Sequence, residues 1–122
     1  MTALLSESSM LNRSALILRA KQPFLEWLWQ LPDPVQPDLT LQRVNREPQV
    51  YLLPQYDMGD EQEELLRDHY EYLFASQLEG WWTDETDWPS NRDFKMFNTW
   101  FEAQFHSMIE DLVGYPLLDD DD

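Results

Sequence analysis

Asp93-Phe94-Lys95-Met96-Phe97-Asn98-Thr99-Trp100-Phe101-Glu102-Ala103-Gln104-Phe105-His106-Ser107-Met108-Ile109-Glu110-Asp111-Leu112 is the most strongly patterned stretch of the chain. Phe94, Phe97, Phe101, Phe105, Met108 and Leu112 recur at intervals of three and four. On a helical wheel they fall within about 80° of arc. The spacing predicts one long helix. Ser90 and Asp93 supply capping residues at its start, and Gly114 and Pro116 stop it.

Working backwards, Trp81–Pro89 (WWTDETDWP) reads as a loop carrying three tryptophans. Before it, Asp60 and Glu63 form an N-cap signature that opens a helix running to about Leu78. Its apolar stripe is Leu66, Tyr70, Leu73 and Gln77, widened by Phe74 and by His69, a boundary histidine. Gly80 follows as a stop. Val50–Pro54 has β-branched and aromatic character and predicts a short strand. Thr40 predicts the cap of a single turn reaching Arg46. Pro32–Asp38 holds three prolines and predicts a stiff extended loop. Gln22–Leu31 predicts a helix, with Pro23 in the first turn, where its missing N–H costs nothing. Ser14–Ala20 (SALILRA) is apolar on both alternating faces, as in a strand covered on both sides. About 30 residues and a helix separate the two strands, which permits a parallel right-handed crossover.

The expected fold is α+β: two short strands packed with three main helices in a single domain spanning residues 11–118. Residues 1–10 read as a loose terminus and 119–122 as a solvated acidic tail. Translation starting at Met1 or at Met10 fits the sequence equally. Two strands alone make a marginal sheet, so they must pack under the helices or borrow a partner strand.

The 122 residues include no cysteine and carry a net charge of −16. That excludes disulfides and thiolate chemistry and fits a reducing cytoplasm. No leader pattern or run of ~18 apolar residues is present. Residues 1–55 hold five acids and five bases and are neutral. Residues 56–122 hold the other 19 acids against Arg67, Arg92 and Lys95. Long-range repulsion therefore disfavours direct binding to nucleic acid or an anionic membrane. A basic protein partner is one reading of the charge, and an acidic surface that serves only solubility is the other.

Few constellations suggest chemistry. Three glycines and two histidines leave no nucleophile elbow and no phosphate loop. In the expected last helix, Glu102, His106 and Glu110 share one face. They are weak candidates for a divalent cation, with a solvated polar face as the plainer reading. No cofactor is implied, and a metal-dependent enzyme is the least favoured class. Asp60, Glu64, Asp68 and Glu71 form an acidic row opposite the apolar stripe of their helix. Like charges at i, i+4 cost roughly 0.2–0.5 kcal/mol per pair, so the row is either tolerated or kept for a partner. Met96 and Trp100 point away from the phenylalanine stripe, so they are either covered by a second layer, the plainer reading, or exposed as candidate apolar anchors.

Leu11-Asn12-Arg13-Ser14-Ala15-Leu16, Pro23-Phe24-Leu25-x-Trp27 and Trp100-Phe101-x-x-x-Phe105-His106-Ser107-Met108-Ile109-x-Asp111-Leu112 resemble a group of small acidic bacterial proteins of uncharacterised function. The resemblance spans roughly residues 10–118. It implies a bacterial cytoplasmic protein and transfers no catalytic or binding residue. The favoured function is a non-enzymatic acidic protein-binding module. The alternative is a DNA mimic or antitoxin-like inhibitor of a basic nucleic-acid-binding protein. Short strands with unpaired edges also admit a homodimer.

Overall fold

The computed structural model describes residues 9–32 and 38–120. Along them run β1 (Ser9–Met10), β2 (Ser14–Ala20), α1 (Gln22–Trp29), α2 (Leu41–Val44) and β3 (Val50–Leu53). Then come α3 (Asp60–Glu79), a short 3₁₀ turn (Glu85–Asp87), α4 (Phe94–Trp100), β4 (Phe101–His106) and β5 (Glu110–Asp111). The fold is α+β, with more strands than the two expected.

The long final helix does not form. α4 ends at Trp100, and Phe101 turns directly into extended backbone. The reason lies in β2. Both backbone edges of a buried strand need hydrogen-bond partners. β3 serves one edge and β4 the other, giving the antiparallel order β3-β2-β4. Ala20 faces Phe101, Leu18 faces Ala103 and Leu16 faces Phe105. A spacing of four is even, so it satisfies a strand's alternation as well as a helix's stripe. Phe101 and Phe105 thus keep one face in either structure. Met108 and Leu112, which a helix would bury, are 81% and 73% exposed.

β2 and β3 are antiparallel, with Leu16 opposite Tyr51. The crossover is therefore not parallel. β1 pairs with β5 at Ser9–Asp111 and Met10–Glu110, so residues 9 and 10 belong to the fold rather than to a loose terminus. Residues 1–8 of the expected terminus, 33–37 of the proline loop and 121–122 of the tail lie outside the described residues.

Caps differ in detail from expectation. Asp60 is the first residue of α3, not its cap. The Glu61 carboxylate instead accepts from the N–H groups of Asp57 and Met58 at 2.6 and 2.7 Å. Asp93 alone caps α4, accepting from Met96 N–H at 2.8 Å. Thr40 caps α2 as expected.

One face of the sheet carries the core. Leu16, Leu18, Ala20, Tyr51, Leu53 and Phe101 meet Phe24, Leu25 and Leu28 of α1, Leu66, Leu73, Phe74 and Leu78 of α3, and Phe97 of α4. Rings of Phe24, Phe74, Phe97, Trp100 and Phe101 interlock at 5.2–6.1 Å between centroids. One tryptophan hydrogen bond ties the 81–89 loop to this core and two brace the loop itself. Trp27 Nε1 donates to Asp87 O, Trp82 Nε1 to the Asp87 carboxylate and Trp88 Nε1 to Trp82 O. At the end of β2 the Asn45 side chain stands where a further strand residue would be. Its Oδ1 accepts from Ala20 N–H at 2.7 Å, and its Nδ2 donates to Ala20 O at 3.1 Å.

Candidate functional site

α3 is pinned along one side by Leu66, Leu73, Phe74 and Leu78, all buried. Over its first three turns the side opposite Leu66 and Leu73 faces solvent. Asp60, Glu64, Asp68 and Glu71 are all exposed there. A rise of 1.5 Å per residue sets them about 6, 6 and 4.5 Å apart along the axis. Among the described residues none of these four carboxylates has a hydrogen-bond or ion-pair partner. Glu63, beside the row, pairs with Arg67 at 3.4 Å, an exposed contact worth under ~1 kcal/mol. The Glu61 carboxyl is held below the usual glutamate range by the Met58 and Asp57 N–H groups. The row is therefore an uncompensated strip of negative charge on a rigid, anchored helix.

The flank of α3 that meets α4 has the opposite sign. Arg67 lies 4.4 Å from the Phe94 ring centroid. A shallow groove there collects Lys21, Arg67 and Lys95, three of the eight bases in the chain, together with Glu63, the partner of Arg67.

Met96 and Trp100 lie against the core. Trp100 packs edge-on against Phe24 and also against Trp27 and Phe74. Met96 is half-buried against the same core. Both close the rim of the aromatic cluster and do not project as a patch.

Nor does the helical face of Glu102, His106 and Glu110 exist. Glu102 and His106 lie four residues apart on one face of β4, about 13 Å at strand rise. Glu110 belongs to β5. Arg19 lies opposite Glu102, and His106 Nε2 meets Gln104 Nε2 at 2.9 Å. Among the described residues no three His, Cys, Asp or Glu side chains are grouped to hold a metal ion. His69 bonds through Nδ1 to Leu65 O at 2.9 Å, as a boundary histidine.

The sequence reading passed over two exposed apolar regions. Val50 and Leu52 are 55% and 47% exposed on the outer sheet face, opposite Ile17 and Ala15. Beyond β5, Leu112, Val113, Tyr115, Leu117 and Leu118 are all exposed. Alternation in Val50-Tyr51-Leu52-Leu53 held the first signal, but a wholly apolar tetrapeptide does not say that one face is open. The second was hidden by assigning Leu112 to a buried helical stripe. No family model, curated protein or solved structure matches the chain.

Proposed function

We propose that the chain is a non-enzymatic protein-binding module of the bacterial cytoplasm whose acidic α3 face recognises a basic protein surface. The observation that carries this reading is the unpartnered row Asp60, Glu64, Asp68, Glu71 on a helix fixed by four buried side chains. Like charges in a row cost helix stability, and a complementary basic surface turns that cost into attraction. The scarcity of catalytic groups, with two histidines and no cysteine, supports a role without turnover. Among the described residues no helix is long and apolar enough to cross a membrane.

Exposed charges steer encounter more than they hold a complex. Replacing Glu64 and Asp68 by Lys therefore slows association and flattens its salt dependence, with dissociation little changed. The check is affinity capture from the native host at low and high salt, followed by association kinetics with the captured protein. Capture unaffected by the double reversal overturns the reading. The DNA-mimic alternative predicts that the partner's own nucleic acid competes for the same surface.

A further inference from the structure

The three-stranded sheet has helices on one face only. Its other face carries Leu52 and Val50 from β3, Ala15, Ile17 and Arg19 from β2, and His106, Gln104 and Glu102 from β4. On this face Val50, Leu52, Glu102 and His106 are exposed, Ile17, Arg19 and Gln104 are half-buried, and Ala15 is buried. The face is apolar along β3 and polar along β4. Its formal charges, Arg19 and Glu102, sit directly opposite each other in the ladder. In a molecule of net charge −16 it is a neutral surface.

Beside it begins a second uncovered apolar element. Ser14 faces Leu53, Ala15 faces His106, and Leu11 N–H bonds Ile109 O at 2.8 Å. The separate β1-β5 pair thus follows the end of the sheet where Leu52, Ala15 and His106 form a row. After β5, Leu112, Tyr115, Leu117 and Leu118 are 66–85% exposed.

We propose that the open sheet face is a self-association surface, and that its occupant is a second copy of this chain whose Leu112–Leu118 arm packs across the Ile17, Val50, Leu52 strip. Net charge opposes this occupant, and only the face itself adds no repulsion of its own. Two such molecules repel over most of their surface, but a neutral face can meet its own copy. Area requires the arm. Three strands of about six residues present only about 300 Å² in plan. A standard interface covers about 800 Å² per partner. The side chains of the arm add on the order of 500 Å². Neither element suffices alone, and together they reach the usual size. This inference is independent of the α3 row and has the opposite salt signature. Salt weakens capture of a basic partner, whereas screening strengthens contact between two acidic copies.

The test is sedimentation equilibrium of the full chain across a salt series. The expected result is a dimer that tightens as NaCl is raised. Leu52→Lys should weaken it at least tenfold, although the substitution lowers the net negative charge. Leu52→Thr, which keeps a strand-forming side chain, should weaken it in the same direction. Truncation after Asp111 should also weaken it at least tenfold, although it removes Asp119–Asp122 and their repulsion. A chain that stays monomeric up to its solubility limit overturns the proposal. So does a dimer indifferent to both changes. A monomer whose melting temperature falls on truncation overturns it too, because the arm would then lie on its own sheet.

Discussion

Asn45 shows how much a single polar side chain can fix. β3 stops pairing with β2 at Val50, opposite Ile17, and Asn45 takes over the backbone groups of Ala20. Its two bonds are those of a strand neighbour, delivered from the end of α2. Asn45→Ala leaves the Ala20 N–H and C=O half-buried without this partner, and should cost about 1–3 kcal/mol in chemical denaturation. Asn45→Asp should cost no less, because it removes the donor and sets an anion against the Ala20 carbonyl. An unchanged midpoint for either variant would remove Asn45 from this role. Glu61 acts at the same scale. Its carboxyl is depressed by the N–H groups of Asp57 and Met58. A depressed carboxyl contributes stability above its ordinary titration range and loses it as pH falls through the folded value. The Asp57 and Met58 amide resonances should therefore shift together in acid, with a midpoint below that of an ordinary glutamate. In Glu61→Gln that transition should vanish.

Elements rather than residues separate the sequence reading from the structure. Gln22–Trp29 and Asp60–Glu79 were legible because each shows a helical period and a marked end. Ser14–Ala20 was legible as a short apolar run, although its two apolar faces wrongly suggested cover on both sides. Phe94–Leu112 was not. Its interval of four fits a helix and a strand alike, and the choice rests on an unpaired edge of β2 some eighty residues earlier. No local window contains that information. The role of Trp100 was open in the sequence for a related reason. As the last residue of α4 it packs onto Phe24, Trp27 and Phe74, contacts that no helical wheel contains. Trp100→Ala should therefore destabilise the domain by about 3 kcal/mol, near the low end for an aromatic truncation, because the ring is only half-buried. Urea denaturation monitored by far-ultraviolet dichroism measures this. A loss within 0.5 kcal/mol, the size usual for surface substitutions, would return Trp100 to the list of exposed anchors.

At the scale of the whole molecule, charge is the dominant feature, and the sequence made it half legible. The imbalance between residues 1–55 and 56–122 was plain, and so was the α3 row. Which surfaces escape the imbalance was not, because the neutral sheet face combines β2 and β3 from the first half with β4 from the second. Folding brings acids from α3, the 81–93 loop and β4 into one compact body. A net charge of −16 concentrated there repels itself. The unfolded chain spreads the same charges out and feels less of this. Raising NaCl from about 0.1 M to about 1 M shortens the screening length from about 10 Å to about 3 Å. That relieves the folded state more than the unfolded one. The melting temperature should accordingly climb by several degrees over this range, most steeply at the low-salt end. Reversing Glu64 and Asp68 to Lys lowers the net negative charge by four, so it should raise the low-salt melting temperature and shrink the salt increment. If reversal instead leaves the melting temperature unchanged at every salt, the α3 row does not strain the fold. Its like charges would then need no partner to account for them.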